Sequence, residues 1–282
     1  MNLWQARAEV RAAGAAALQG APAVADEVTP AEIPSVARRG PGDRVLAEID
    51  HDGFAFALAP EDEPYFNRRG EKHPRQQHLL DVVLLGGRVC VRKRFRRPRR
   101  DAVRFGDRPV PAREWAQRSL WVTLKLPLYN EAAALLRMRD LPFTPKLRAF
   151  DAARNTLHMD YLRGSSLRHA AAAAGAPVHD ADLRGARDLA GLTADQLDAR
   201  EIGLLDQREP ADYRADIAAM ARAINDCGVA PLDIKLGNFM RGEKTQRLYW
   251  IDFEISRLAS QPRWDADLAR QHDILRRLFG VG

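Results

Sequence analysis

Four polar residues lie inside apolar segments in the last third of the chain, at a spacing that could support chemistry. Asp233, Lys235 and Asn238 fall within PLDIKLGNFM, and Asp252 falls within LYWIDFEISR. The spacing predicts a tight loop that directs the first three side chains into one cavity, and a hairpin of NFMRG and LYWID that returns Asp252 to Asn238. Adjacent carboxylate and amide oxygens suit Mg²⁺ together with substrate phosphates. The pattern therefore indicates a magnesium site, with Asp233 left to orient a hydroxyl group.

The order of these residues resembles the catalytic and metal-binding loops of the protein-kinase-like phosphotransferases. The family pattern is Asp, Lys two residues later, Asn five residues later and a downstream D-F-G, and here D-I-K-L-G-N is followed by I-D-F-E. The resemblance implies that Asp233 receives the proton of an acceptor hydroxyl and that Lys235 stabilises the phosphoryl group in transfer. It further implies that Asn238 and Asp252 hold Mg²⁺.

Two residues depart from the family pattern without removing a chemical group from it. Pro231 stands where the family has a histidine, and Glu254 stands where it has the glycine after D-F. Bacterial lipopolysaccharide kinases of the Kdo type and small Rio-type atypical kinases tolerate such replacements, and the chain resembles these branches most. Since Glu254 argues against a flexible activation-loop switch, we expect a constitutively assembled site.

A basic strand and an acidic helix precede these loops in the family's order. In RVCVRKRF, alternation places Val91 and Lys93 on one face of a strand, which resembles the family strand whose lysine reaches the α and β phosphates of ATP. Glu131 in YNEAAALLRM resembles the helix glutamate that pairs with that lysine. A slip of one residue would turn Arg92 toward the phosphates instead, because such a slip exchanges the two faces of a strand.

The segment TLHMDYLRGSSL resembles the strand and hinge that hold the adenine ring in this family. Met159 precedes the implied hinge, and Asp160 and Tyr161 lie within it. The resemblance implies that the backbone of residues 160–162 hydrogen-bonds adenine.

The glycine-rich loop that covers the phosphates in the family has no clear counterpart. No G-x-G-x-x-G sequence precedes Lys93. The segments around Gly53 and Gly70 are weak candidates, and Arg68 and Arg69 could supply some of the same electrostatic stabilisation. The sequence leaves this part of the nucleotide site open.

The elements that must position these residues are strands first and helices later. Turn signals at Asp52-Gly53 and Gly86-Gly87 predict two β-hairpins, residues 156–162 favour a strand, and helical spacing covers parts of 112–140 and 211–227. Such an order is typical of an α+β protein.

The resemblance refines this fold class to a bilobal kinase-like fold with a small antiparallel β N-lobe and a compact helical C-lobe. We expect an N-terminal helix and linker over residues 1–45, the N-lobe over 46–162 and the C-lobe over 163–282. In the closing helix, Asp265 is predicted as the N-cap residue.

Composition excludes several classes of protein. The chain has 282 residues, of which 46% are hydrophobic, so it can bury a core, and its two cysteines support neither a disulfide framework nor a zinc site. The absence of a long apolar run predicts a cytoplasmic protein. The net charge is +6, and seven basic residues crowd positions 92–100, which indicates either a solvated loop or a surface for an anionic partner.

The combined hypothesis is an ATP- and Mg²⁺-dependent kinase that transfers the γ-phosphate to a hydroxyl group. The expected acceptor is a lipopolysaccharide core sugar or a protein Ser/Thr, with peripheral contact at the inner membrane for the former. The alternative is a pseudokinase or a basic binding module that recognises an anionic partner without catalysis. Nucleic acid is less favoured as that partner, since Phe95 is nearly alone among the basic residues as a stacking aromatic.

Overall fold

The structure is a computed structural model that describes residues 6–13, 21–27, 29, 78–95, 126–173, 200, 202–207, 209 and 212–281, together with short strands between residues 50 and 109. Its helices are α1 (6–13), α2 (Leu126–Arg137), α3 (Leu167–Ala173), α4 (Tyr213–Asp226) and α5 (Trp264–Phe279), with a 3₁₀ turn at Leu236–Asn238. Helical residues also occur at 200 and 202–205.

The strands are short except for one long pair. They are β1 (Asp50–His51), β2 (Phe54–Ala55), β3 (Pro64–Phe66), β4 (Lys72–Pro74), β5 (His78–Leu85), β6 (Arg88–Phe95), β7 (Arg104–Phe105), β8 (Arg108–Pro109), β9 (Leu147–Asp151), β10 (Thr156–Asp160), β11 (Gly164–Ser166), β12 (Val229–Pro231), β13 (Phe239–Gly242), β14 (Leu248–Trp250) and β15 (Ser256–Leu258). The protein thus combines helices with several small antiparallel sheets.

The sheet that carries Lys93 has the order β5-β6-β10-β9. Its two long strands are joined at Gly86 and Gly87, whose φ angles of 55° and 81° lie in the left-handed region that glycine adopts without strain. Lys93 pairs with Leu80 on one side and Leu157 on the other, which places it on the second strand of the sheet. Helix α2 packs against strands β9 and β10 of this sheet.

Two smaller sheets hold the polar loops. Strands β13 and β14 form an antiparallel hairpin in which Phe239 pairs with Trp250, as the sequence predicted. Strand β12, before this hairpin, pairs with β15, after it, through Val229 with Leu258 and Pro231 with Ser256. The two pairings are nested, so the loop that enters the hairpin and the loop that leaves it lie side by side.

One hydrophobic cluster contains buried residues from the sheet, from α2 and from the later helices. At its centre the ring of Phe239 lies 4.6 Å from that of Trp250 and 5.6 Å from that of Phe279, measured between centroids. The cluster includes Leu157 and Leu167, on opposite sides of the predicted boundary between residues 162 and 163. The described core is therefore continuous across that boundary.

The described N-terminal segments pack against this core. Glu9 of α1 forms an ion pair of 2.6 Å with Arg137 of α2. Residues 21–27 run beside β11 and the hairpin, where Glu27 bridges to Leu162 and the N–H of Arg163 donates to the carbonyl of Asp26 at 3.1 Å. Residues 21–27, part of the predicted linker, thus form an irregular segment that packs along the core, which we call the wrap.

Asp26 is the anchor of that wrap. Its carboxylate is fully buried and accepts hydrogen bonds from Lys244 N at 2.7 Å, Thr245 N at 3.1 Å and Tyr249 Oη at 2.7 Å. A fourth bond comes from the Thr245 hydroxyl. Burial by itself would raise the pKa of Asp26, but these hydrogen bonds outweigh it and lower the pKa.

Most predicted elements that fall on described residues are present, and one local detail is wrong. The hairpins at Asp52-Gly53 and Gly86-Gly87 are confirmed by the pairing of their strands. The closing helix begins at Trp264, and its N-cap is Arg263 with φ of 67°, so Asp265 lies in the first turn and not at the cap. There its negative charge still interacts favourably with the helix dipole.

Several predictions concern residues outside the described part of the chain. These are the phosphate-loop candidates at Gly53, Gly70, Arg68 and Arg69, and the basic positions 96–100. Among the described helices, none is both long enough and apolar enough to cross a membrane.

Candidate active site

The side chain of Lys93 lies at the centre of the site. Its ammonium nitrogen is 2.8 Å from Glu131 Oε2, 2.8 Å from Asp252 Oδ1 and 3.2 Å from Glu254 Oε2. Only 6% of the lysine side chain is exposed. The register of β6 thus turns Lys93, and not Arg92, toward Glu131 of the helix and the loop that carries Asp252.

Two members of this cluster, Lys93 and Glu131, have raised pKa values, for different reasons. Burial alone would lower the pKa of Lys93, but Asp252, Glu131 and Glu254 together raise it well above its ordinary value, so the ammonium form persists. Burial raises the pKa of Glu131 to about 7, opposed by Lys93 and reinforced by Asp252 and Glu254. Glu131 is therefore held near the boundary between its ionised and neutral forms at neutral pH.

The loop between β12 and β13 holds a second set of polar side chains. Lys235 Nζ is 2.6 Å from Asp233 Oδ2, and the Asn238 amide nitrogen donates to the Asp233 carbonyl at 2.8 Å and to its carboxylate at 3.3 Å. Partial desolvation would lower the pKa of Lys235, whose side chain is 49% exposed, but Asp233 raises it above the ordinary value. The amide nitrogen of Asn238 is used by Asp233, so the side-chain oxygen of Asn238 is the atom that could accept a hydrogen bond or bind a cation.

Backbone hydrogen bonds bring this loop beside the loop of Asp252. Ile251 N donates to the Asn238 carbonyl at 2.8 Å, and Leu232 N donates to the Ile255 carbonyl at 2.8 Å. Asp252 itself has a φ of 66°, a left-handed conformation that is uncommon for a residue with a Cβ and is concentrated at functional sites. The nested sheets fix the two loops in register with each other.

Asn130, the residue before Glu131, ties helix α2 to the same loop. Its side-chain nitrogen donates to the carbonyls of Glu254 at 2.9 Å and Ser256 at 2.6 Å. The helix that carries Glu131 is thereby anchored to the residues that follow Asp252. This role was not foreseen from the sequence, although Asn130 belongs to the N-E-A segment on which the resemblance rests.

The predicted hinge residues lie at the end of β10. Met159 is 8% exposed and Tyr161 is 3% exposed, and Met159 pairs with Val91 on the strand of Lys93. The carboxylate of Asp160 accepts hydrogen bonds from Lys146 N at 3.0 Å and from the guanidinium of Arg148. Asp160 N donates to the Lys146 carbonyl at 3.1 Å, so the side chain and N–H of Asp160 are engaged within the protein.

The donor set of the site fits a divalent cation. Carboxylate oxygens of Glu131, Asp252 and Glu254 all lie within 4.8 Å of one another. Carboxylate and amide oxygens are the protein ligands that Mg²⁺ prefers. The structure brings together Lys93, Glu131 and Asp252, with Glu254 as an additional carboxylate. The loop of Asn238 lies beside them, since the backbone carbonyl of Asn238 accepts a hydrogen bond from the residue before Asp252.

Comparisons with known proteins give a limited result. The sequence matches no family model, and no curated protein matches it. Among solved structures, the chain is similar to the Rio2 kinase of Chaetomium thermophilum, determined as a complex with ADP, Mg²⁺ and phosphoaspartate. The similarity covers 100% of this chain and 85% of that one, with 15% sequence identity and a TM-score of 0.42.

Proposed function

We propose that this protein is an ATP- and Mg²⁺-dependent phosphotransferase with a bilobal kinase-like fold. The observation that carries the proposal is the contact of Lys93 with both Glu131 and Asp252 at 2.8 Å. The three residues come from a strand, a helix and a loop that are distant in sequence, and their order along the chain is that of the resembling family. A purely structural lysine needs only one buried carboxylate to balance its charge.

In this proposal, Asn238 and Asp252 hold Mg²⁺, and Lys93 contacts the α and β phosphates. The metal would neutralise charge on the β and γ phosphates. Asp233 accepts the proton of the acceptor hydroxyl while that oxygen bonds to the γ phosphorus and the bond to the departing ADP breaks. Lys235, 2.6 Å from Asp233, is placed to stabilise the negative charge on the transferring group.

Adenine is proposed to lie against the hinge after β10. Since Asp160 N already donates to Lys146, the base would use other polar groups of the backbone of residues 160–162. Met159 and Tyr161 flank Asp160 in this proposed hinge. The Asp160 side chain serves the hinge by its buried ion pair with Arg148.

The proposed acceptor is a hydroxyl of a lipopolysaccharide core sugar or of a protein Ser/Thr. Lys235 supports both, because it stands where the related small-molecule phosphotransferases more often have histidine. The basic stretch at 92–100 would suit an anionic core lipid at the inner leaflet of the membrane. A cytoplasmic protein with peripheral membrane contact is consistent with that acceptor.

The test is Mg²⁺-dependent phosphate transfer from ATP by the purified protein, offered lipopolysaccharide core and protein substrates in separate reactions. Asp233→Ala and Asp252→Ala should each reduce transfer by at least about a hundredfold, while Asp140→Ala, an exposed matched control, should not. Transfer to one substrate alone identifies the acceptor class. If no acceptor is labelled and nucleotide binds Asp252→Ala as tightly as the unchanged protein, catalysis is excluded and a binding module remains.

A further inference from the structure

Glu254 gives the ammonium group of Lys93 a third carboxylate partner. A lysine ammonium has three N–H donors, and three carboxylates lie within 3.2 Å of Lys93 Nζ. The carboxylates in contact with Lys93 are thus as many as its N–H donors, and a phosphate oxygen that approaches Lys93 must compete with them.

Of the two glutamate partners of Lys93, Glu254 is the more readily displaced. Its distance to Lys93 Nζ is 3.2 Å, against 2.8 Å for Glu131, and its side chain is 13% exposed, against 1% for Glu131. Glu131 lies on a helix packed into the core, whereas Glu254 lies on the loop before β15. The backbone of Glu254 is fixed by Asn130, so a rotation of the side chain is sufficient to release Lys93.

Charge determines when that rotation is favourable. When all three carboxylates are ionised, one positive charge faces three negative ones in a cluster whose Lys93 and Glu131 side chains are buried and whose Asp252 and Glu254 side chains are partly exposed. A phosphate without a cation is repelled there, since charges interact strongly where solvent is excluded. A divalent cation reverses the balance because it attracts the carboxylates and the phosphates together.

We propose that Glu254 is a positioning residue that occupies the phosphate-binding donor of Lys93 and so makes nucleotide binding depend on the metal. This inference rests on the proposed function, because it assumes that Lys93 contacts nucleotide phosphates. In the free protein Glu254 holds Lys93, and in the presence of Mg²⁺ it releases Lys93 to the nucleotide. Nucleotide without metal therefore binds more weakly than nucleotide with Mg²⁺.

The experiment compares dissociation constants of ADP and adenosine, each measured by calorimetry with Mg²⁺ and with EDTA. Adenosine lacks phosphates and therefore reports on the base site alone. Glu254→Gln keeps the size of the side chain and removes its charge. We expect it to tighten metal-free ADP binding about five- to tenfold, to leave adenosine binding unchanged and thus to reduce the metal dependence of ADP binding.

The matched control is Glu243→Gln, the same change at a residue whose side chain is 59% exposed and paired with Arg163. It should leave all four constants unchanged. If Glu254→Gln shows no thermal unfolding transition, it is not folded, and Glu254→Gly replaces it in the experiment. This variant removes the same charge and introduces the glycine that the resembling family has at this position.

The outcomes separate this inference from the proposed function. If ADP with Mg²⁺ binds normally but metal-free ADP binding is equal or weaker in the Glu254 variants, the role of Glu254 is wrong and the proposed function stands. If ADP binds none of the proteins under either condition, both are overturned. Tighter metal-free ADP binding with unchanged adenosine binding supports both.

Discussion

At the scale of single residues, the buried cluster around Lys93 sets which protonation states the site can hold. Burial of Glu131, with two further carboxylates nearby, favours its neutral form, and Lys93 favours its ionised form. The raised pKa of Lys93 keeps the ammonium charged across the physiological range. The titration of Glu131 should therefore be visible in the stability of the protein.

We predict that the stability of the unchanged protein falls relative to Glu131→Gln as the pH rises. The pKa of Glu131 is about 7 in the folded protein, against 4.5 as the reference value. Between pH 4.5 and pH 7 the folded protein binds the Glu131 proton more tightly than the unfolded chain does. The stabilisation from this proton is therefore complete below pH 4.5 and is lost as the pH rises through 7. The loss is at most roughly 3 kcal/mol.

The measurement is urea unfolding of both proteins at pH 5 and pH 8, with the difference in unfolding free energy compared between the two values. Groups elsewhere titrate equally in both proteins and cancel in the comparison. The unfolding free energy of the unchanged protein minus that of the variant should be smaller at pH 8 than at pH 5. An equal or larger value at pH 8 would contradict the raised pKa of Glu131.

Much of this cluster could be predicted from the sequence, because its members belong to short patterns with a fixed order. The contact of Lys93 with Glu131 and Asp252 agrees with that order. The contact with Glu254 was not predicted, since a residue that departs from a pattern gives no indication of its new partner. Asn130 was missed for a related reason: its bonds go to backbone carbonyls, which have no sequence signature.

At the scale of elements, the hairpin β13–β14 is fixed from both sides. Its first strand, β13, also pairs with β11, and its turn receives the carboxylate of Asp26. Gly242, at the end of β13, lies so close to this carboxylate that an added Cβ would be 2.2 Å from Asp26 Oδ2. The absence of a side chain at position 242 is what gives Asp26 its place.

We predict that Asp26→Ala and Gly242→Ala are each destabilising but not additive. Asp26→Ala leaves the N–H groups of Lys244 and Thr245 and two hydroxyls without their acceptor, a cost of about 2–4 kcal/mol. Gly242→Ala should cost a similar amount by expelling the carboxylate. In the double variant the added methyl group occupies space that Asp26 has left, so its cost should fall below that of the sum by at least about 1 kcal/mol.

A double-mutant cycle by chemical denaturation measures this coupling. Asp140→Ala combined with Gly242→Ala is the control, since the Asp140 side chain is 79% exposed and should add independently. Strict additivity of Asp26→Ala and Gly242→Ala would show that the wrap does not occupy this position in solution.

Among the elements, the packing of the wrap could not be predicted from the sequence. The hairpins at Gly86-Gly87 and between β13 and β14 follow from local turn chemistry and alternation. Asp26 lies in a stretch rich in proline and alanine with no periodicity, and its partners are more than 200 positions away. A contact at that separation leaves no local pattern from which to infer it.

At the scale of the whole molecule, the continuous core bears on whether the predicted N-lobe and C-lobe behave independently. Phe239 and Trp250 belong to the same buried cluster as Leu128 and Leu157. Both ranges therefore depend on one set of apolar contacts, and the site residues Lys93 and Asp252 come from its two sides.

We predict that the protein unfolds in one cooperative transition. Phe239→Ala should shift that transition by about 3–5 kcal/mol without splitting it, because Phe239 is fully buried between two aromatic rings. The checks are calorimetry and the agreement of near- and far-UV circular dichroism on heating. Two resolved transitions in the unchanged protein would show that the ranges 46–162 and 163–282 fold separately.

The bonds of Asp26 to residues 244, 245 and 249 span up to 223 positions, and this separation has a consequence for biosynthesis. Residue 26 leaves the ribosome long before the hairpin exists, so the wrap cannot dock until residue 249 has also emerged. Contacts between distant parts of a chain form slowly, because the intervening segment must first be ordered. Residues 21–27 should thus be accessible to proteases and chaperones throughout translation, and their protection should mark the last step of maturation.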